Sequence, residues 1–301
     1  MNEPRSPDGI YWLKSLPFLA IHLAALAAPF VAPPSFRLVG LALALYAVRM
    51  FAITAGYHRY FSHRAYRTSR AFQLILAVIG ATATQKGPLW WAAHHRDHHR
   101  YSDQPGDVHS PVLRGFWWSH VGWILSRGSD GLKADRVKDL VRFPELRFVD
   151  RYYALAPLGL AAVLLVAGGW PAFLWGFAVS TVVLWHATFV INSLAHVIGR
   201  RRYQTTDASR NSFLLAVVTF GEGWHNNHHH YQGSANQGFF WWELDLSYYL
   251  LRGLAAVGVV WDLRRPPEST RLAHRVSPAV RSEEVPLRAV DRAAAAPQFG
   301  G

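Results

Sequence analysis

Apolar residues in this chain come in long runs rather than in the alternation of a half-buried strand or the stripe of a surface helix. Residues 16–31 form the first run, closed by Pro33-Pro34, and residues 36–56 form a second that leads straight into His58. A third covers 153–168 and a fourth 171–194, with only a Gly-Gly-Trp-Pro turn between them. A helix needs about 20 apolar residues to cross a bilayer core of about 30 Å, so these runs predict four spans in two hairpins. Residues 71–84 and 213–220 are apolar but shorter, and are expected as buried or interfacial helices. The aromatic stretch Gly115-Phe-Trp-Trp-Ser-His-Val-Gly-Trp-Ile suits a membrane–water boundary. From Arg264 onward the pattern fades into Pro, Arg and Ala. The expected organisation is a membrane-embedded domain, 1–264, and a basic cytoplasmic tail, 265–301, without fixed structure.

The chain has 301 residues and a net charge of +12, which raises nucleic acid as a partner. Yet 51% of residues are hydrophobic and only 17% charged, and no basic helix or aromatic RNA-binding motif accompanies the charge, so nucleic acid is excluded. The Lys and Arg residues gather between the hairpins, after the fourth span and in the tail. By the positive-inside rule this places both termini on the cytoplasmic side of a multi-pass membrane protein. Met1 to Lys14 lacks the pattern of a cleavable signal. Cysteine is absent, which rules out disulfides, thiolate zinc sites and Cys-ligated iron–sulfur clusters within the chain.

Candidate chemistry lies in histidine. Ten of the 16 histidines fall in four clusters: His58-Arg-Tyr-Phe-Ser-His63, His95-Arg-Asp-His98-His99, Asn192-Ser-Leu-Ala-His196 and His225-Asn-Asn-His228-His229-His230. Neutral imidazole is the commonest ligand for iron, copper and zinc, and nine imidazoles exceed the needs of one ion. On a helix, positions three and four apart share a face. His95, His98 and His99, and again His225, His228 and His229, are therefore expected to aim three rings at one point. His58 and His63 converge only if the helix ends or bends between them. Two ions at four to five ligands each account for nine rings, and iron suits redox work that zinc cannot do. Asp97, Asp103, Asp107 and Glu222 stand close enough to orient the rings, or are ordinary ion-pair partners. His22 and His186, inside apolar runs, are expected to hydrogen-bond neighbouring helices, and His109 and His120 to support the cage from outside.

These clusters resemble the membrane fatty-acyl desaturases, in particular the stearoyl-CoA desaturase-like Δ9 group. The resemblance spans about 46–245 and includes Ile-Thr-Ala-Gly-Tyr-His-Arg-Tyr-Phe-Ser-His-Arg, Asn-Ser-Leu-Ala-His and Gly-Glu-Gly-Trp-His-Asn-Asn-His-His. It implies an all-α integral membrane protein, its four transmembrane helices capped by a cytoplasmic helical domain that holds a His-rich dimetal centre. By matching position the metal ligands are His58, His63, His95, His98, His99, His196, His225, His228 and His229, with Asn192 acting through water. The cofactor implied is two iron ions, with O2 as co-substrate. The reaction implied inserts a cis double bond, at Δ9, into a saturated acyl chain held in a bent hydrophobic tunnel. Gln85, Trp91 and Thr188 match residues at the tunnel's bend, and Tyr46 and Met50 match its far end.

Three departures matter. Where the acyl-CoA enzymes carry an Arg-Asp pair near the nucleotide, this chain has Ala93-His94, which leaves acyl-CoA, acyl-lipid and acyl-carrier-protein substrates open. Met50 stands where stearoyl-selective enzymes have a small residue, which suggests a shorter preferred chain. No cytochrome b5 domain is fused, so electrons are expected from a separate ferredoxin, flavoprotein or cytochrome. A related hydroxylase or alkane monooxygenase is the alternative enzyme. A metal transporter is disfavoured, because its ligands belong at bilayer depth and these clusters lie at the ends of the spans.

Overall fold

The computed structural model describes residues 8–276; the rest of the expected tail lies outside the described residues. The chain is mostly helical. Helix α1 is Trp12–Val31, and after the two prolines α2 is Phe36–Phe51, capped where the Ser35 hydroxyl accepts from Leu38 N at 3.3 Å. Without a break α2 widens into a π-helix, Ala52–Ser62. Helix α3, Arg70–Ala81, is followed by α4, Pro88–Tyr101, and by α5, Pro144–Arg151. Then come α6, Leu155–Ala172, a second π-helical stretch, Phe173–Val179, and α7, Ser180–Ser193. The short α8 is His225–His230 and α9 is Leu246–Ala256. A two-residue strand pair, Arg67–Thr68 with Val260–Trp261, ties the end of the π-helix to the region after α9.

Among the described residues, three helical runs are long and apolar enough to cross a membrane: Trp12–Val31, Phe36–Ser62 and Leu155–Ser193. Their outward faces are apolar: Phe30 is 86% and Val166 89% exposed, which a water-facing helix would not tolerate along its whole length. As one rod, the 39 residues of Leu155–Ser193 would reach about 58 Å, nearly twice a bilayer core. The run is broken at Gly169, whose φ of 65° and ψ of −163° belong to glycine alone. Beyond it, Phe173 and Phe177 pack back on Leu160, Ala161 and Leu164.

Polar groups inside the apolar runs are satisfied within the protein, as a membrane demands. Arg49 is buried, and donates to the carbonyls of Leu45 and Thr82 at 3.1 and 3.3 Å, to Thr181 Oγ1 at 2.7 Å and to Ser180 Oγ. Histidines within and beside the spans bond to one another. His22 Nε2 lies 3.1 Å from His186 Nε2, His186 Nδ1 lies 2.9 Å from His120 Nε2, and His120 Nδ1 lies 3.0 Å from Ser193 Oγ.

Two devices aim α4. Its first free amides, Leu89 N and Trp90 N, both donate at 2.9 Å to Asp150 Oδ1 from the end of α5. A Cβ on Gly87 would collide with that carboxylate, so glycine is required there. The turn into α4 holds Thr84 and Lys86 at φ of 56° and 64°, left-handed values that put Gln85 between them.

The start of the tail departs from expectation. Tyr203 donates its hydroxyl to Arg271 O, Val276 N donates to Arg202 O, and Ala235 N donates to Arg264 O. A short helix, Glu268–Leu272, sits among these bonds. Composition missed this because the order comes from partners distant in the chain, in residues 202–235.

Fully buried Arg59 donates to Asp245 Oδ1 at 2.9 Å, Glu222 Oε1 at 3.1 Å and Ala235 O at 3.1 Å. Removing one partner of such a network leaves buried charge uncompensated, at a cost of about 3–5 kcal/mol. Arg59→Met is therefore expected to lower the thermal midpoint in detergent sharply, while Arg67→Met, whose partner Asp262 is as exposed as Arg67 itself, changes it little.

Candidate metal centre

Four segments bring the histidine clusters together. The π-helix supplies His58 and, one residue past its end, His63; α4 supplies His95, His98 and His99; the end of α7 leads to His196; and α8 supplies His225, His228 and His229. Their ring nitrogens gather into two groups whose members all lie within 4.8 Å of one another. One is His58, His63, His95, His99 and His228; the other is His98, His196, His225 and His229.

Each His-x-x-His-His run is thus divided, where the sequence suggested that its three rings share a point. Residues i and i+4 of an α-helix stand about 40° apart around the axis, whereas i+3 falls about 60° to the other side. So His95 and His99 join the first group while His98 turns to the second. In α8 the roles exchange: His225 and His229 face the second group and His228 the first. The His58–His63 pair is brought together by a third device. The π-helix ends at Ser62, between them, and its winding carries through to His63, whose N donates to His58 O at 3.3 Å, an i→i+5 bond. The five-residue spacing equals that bond's reach, and the ring centroids lie 4.9 Å apart.

The donor chemistry fits metal ions. Nε2 atoms face Nε2 atoms: His58 to His228 at 3.0 Å, His63 to His95 at 2.8 Å, His95 to His99 at 2.9 Å, His99 to His228 at 2.9 Å and His196 to His225 at 3.0 Å. Several of these rings hold their proton on the opposite nitrogen, facing a carboxylate. His196 Nδ1 donates to Asp103 Oδ2 at 2.8 Å, His229 Nδ1 to Asp207 Oδ2 at 2.7 Å, His98 Nδ1 to Asp107 Oδ2 at 3.1 Å, and His58 Nδ1 meets Glu222 Oε2. Lone pairs then converge in a buried space, a repulsive arrangement that a cation relieves. His229 Nε2 has no hydrogen-bond partner among the described residues.

Of the four carboxylates weighed from the sequence, Asp103, Asp107 and Glu222 orient rings, and Asp97 instead pairs with Lys133 and Arg136. Asp207 was missed; nothing local marks it, since it reaches His229 from a loop between clusters. Also missed were the asparagines of the last cluster. Asn226 Oδ1 accepts from Arg202 N and Tyr203 N, both at 2.7 Å, and Asn227 Nδ2 donates to Gln237 O and Glu243 Oε2 at 3.0 and 2.9 Å, which pins α8 from below. His109 contacts Asp107, which also holds His98.

Burial pushes His63, His95, His99, His225 and His228 well below the ordinary imidazole range, and repulsion from neighbouring rings adds to it. Burial takes His229 down to about 4 although Asp207 pulls it up, and His94 also to about 4. For Asp103, Asp107 and Asp207 burial acts upward, but the facing imidazoles outweigh it and leave all three low. Burial thus favours the neutral form of those rings, and the facing imidazoles favour the charged form of those three carboxylates.

Beside the first group opens a mainly apolar cavity of about 830 Å³, with His95, Trp91, Gln85, Thr188 and Asn192 on its wall. Trp91 stacks on His95 with centroids 5.0 Å apart, and donates to Gln85 Oε1 at 3.3 Å; Gln85 Nε2 donates to Thr188 Oγ1 at 2.8 Å. Tyr46 and Met50, which share a helical face, are not on this wall. Met50 is fully buried in the main core, and Tyr46 donates to Val218 O.

The family profile described as fatty acid desaturase matches residues 34–264. A palmitoyl-monogalactosyldiacylglycerol delta-7 desaturase of Arabidopsis thaliana is 38% identical over 257 residues, 84% of this chain and 68% of that protein. An sn-1 stearoyl-lipid 9-desaturase of Anabaena variabilis is 37% identical, covering 85% and 94%. An icosanoyl-CoA 5-desaturase of Limnanthes douglasii is 35% identical, covering 86% and 73%.

The division of the runs has a direct consequence. His95→Ala and His228→Ala each weaken the first group, and His98→Ala and His225→Ala the second, so each variant should lose one bound ion and keep the other. Metal per chain by mass spectrometry, with spectroscopy to tell the two sites apart, checks this; the same ion lost in His95→Ala and His98→Ala would contradict it. In metal-free protein, the unfolded chain takes up protons below its ordinary imidazole value of 6.5, whereas His229 and His94 accept them only near 4. Stability should fall as pH drops from 6.5 toward 4, read as a lower thermal midpoint at pH 5 than at pH 7. The depressed carboxylates act only below about 3.8, outside that window.

Proposed function

The chain belongs to the fatty acid desaturase family, and from that premise we propose that it is a membrane-bound diiron desaturase that inserts a cis double bond, at Δ9, into a saturated acyl chain. It is an oxidoreductase of lipid metabolism. The observation that carries the reading is the cavity: a mainly apolar space of about 830 Å³, meeting the imidazole groups at His95 and Trp91.

The five rings of the first group would hold one iron and the four of the second the other, with Asn192 completing the second through water. When bound, the pair supplies, with O2 and two electrons, an oxidant strong enough for an unactivated C–H bond, which offers acids and bases no handle. Asp103, Asp107, Asp207 and Glu222 fix the tautomer and orientation of the rings they face. Trp91 lies flat between the imidazoles and the cavity and excludes water from that side. Neighbouring methylenes are chemically almost alike, so position alone selects one. The Trp91–Gln85–Thr188 chain of hydrogen bonds fixes the wall where that selection is made.

The break at Gly169 supports four crossings in two hairpins, with residues 1–264 forming one embedded unit and the termini and His centre on the cytoplasmic side, as the Lys and Arg distribution indicates. Relatives named for lipid-linked and for CoA-linked substrates leave the acyl carrier to experiment. Electrons come from a separate donor of ferredoxin, flavoprotein or cytochrome type. The basic face suits an acidic one.

Expression in bacteria lacking their own Δ9 desaturase, with double bonds located in the extracted fatty acids, tests the proposal. A new cis monoene should appear with the native chain and be absent with His196→Ala; hydroxylated chains instead would overturn desaturation. Trp91→Ala should lower product at least about tenfold and spread the double bond over neighbouring positions, the effect of loosened positioning.

A further inference from the structure

The cavity has a second polar feature, away from the Trp91 chain. His94 and Trp123 both line it, both are buried, and their ring centroids lie 6.2 Å apart. His94 Nδ1 lies 2.9 Å from Trp90 O, a carbonyl that only accepts, so in the neutral ring the proton sits on Nδ1 and Nε2 offers a lone pair. That Nε2 is buried with no hydrogen-bond partner among the described residues, and so is Trp123 Nε1, which only donates. Trp90 holds both rings in place: it stacks on His94 with centroids at 4.1 Å and on Trp123 at 5.9 Å, and its own Nε1 donates to Ser129 O. Buried polar atoms left unpaired are costly, and two side by side on a ligand cavity, one donor and one acceptor, call for a matching group.

We propose that His94 and Trp123 form a subsite for a hydroxyl group on the head side of the acyl substrate, as carried by a glycerol- or sugar-based lipid. This deepens the reading of the cavity as the acyl site and rests on it. A hydroxyl oxygen accepts from Trp123 Nε1 and donates to His94 Nε2 at once, placed about 2.9 Å from each, a reach consistent with the ring separation. A secondary amide, the alternative group in a pantetheine arm, directs its N–H and C=O to opposite sides and cannot serve two neighbouring atoms with one end. The lysines on this wall, Lys14 and Lys86, share Asp130 and leave one positive charge there, whereas His94 and Trp123 offer a lone pair and an N–H. His94 is also where the chain departs from the Arg-Asp pair of the acyl-CoA enzymes, so the position has exchanged an ion pair for a neutral acceptor.

The test is equilibrium binding to the purified full chain in detergent, read by displacement of tritiated 1-stearoylglycerol. Competitors are unlabelled 1-stearoylglycerol, its 2,3-di-O-methyl ether, which keeps the oxygens but loses both donors, and stearoyl-CoA. The native chain should prefer the free glycerol over the ether about tenfold, the scale of one buried hydrogen bond. His94→Leu should bring the ratio close to one, His94→Gln should recover it through its amide oxygen, and Trp123→Phe should weaken the glycerol ester. Binding of the ether reports that each variant is folded. A native ratio near one, or a preference that survives in His94→Leu, overturns the proposal. So does stearoyl-CoA outcompeting the glycerol ester with a matching loss in His94→Leu, which assigns the pair to the pantetheine amide. Because no turnover is needed, failure here leaves the desaturase reading standing, and a missing double bond in the expression test leaves this subsite standing.

Discussion

Nine imidazoles turned toward one another in a largely buried space set the terms for everything around them. Facing Nε2 lone pairs repel, and burial deprives them of solvent, so the arrangement persists because the surrounding protein holds rings and helices from outside. Carboxylates hold His58, His98, His196 and His229, and hydrogen-bonded asparagines hold the helix that carries His229 and two more rings, His225 and His228. Those holders need holding in turn. Glu222 is fixed by Arg59, Arg59 by Asp245, and Asn227 by Glu243, so the polar core under the site is one connected network. Half-satisfied, such a network would cost more than an apolar core; fully connected, it gives the rings a single geometry.

Three helical periods divide the ligands. The i,i+4 spacing of α4 and α8 sends two rings of each run to one group, the i+3 position sends the third to the other, and the i+5 spacing at His58 and His63 is served by π-winding. Because α4 and α8 exchange these roles, each group draws rings from both helices. Neither site can form without the other helix in place, which couples the metal centre to the fold around it.

The cavity shows the complementary logic. Its wall is mainly apolar, and two of its polar sets differ in kind. At the Trp91–Gln85–Thr188 chain the hydrogen bonds are closed on themselves, so the wall is rigid. At His94 and Trp123 the bonds are open. A closed set positions and an open pair recognises, and the left-handed turn at Thr84 and Lys86 is the backbone strain that puts Gln85 on the first of them.

Much of this was legible in the sequence. Runs of apolar residues about 16–24 long gave the spanning helices, since hydropathy is a local sum. Histidine spacing picked out the nine rings that gather into the two groups, since residues on one helix meet only when they recur near its turn. Other features were not legible, because they depend on residues distant in the chain. Asp97 and Asp107 sit in similar surroundings in the sequence, yet one meets Lys133 and Arg136 and the other meets His98. Asp207 carries no local mark. Residues 265–276 look structureless by composition and are ordered by strands of backbone bonding from residues 202–235. The spacing of the histidines determined that two ions' worth of ligands exist on these helices. Which ring serves which site was decided only by tertiary structure, because that depends on the rotation of each helix about its axis, and packing against distant neighbours sets the rotation.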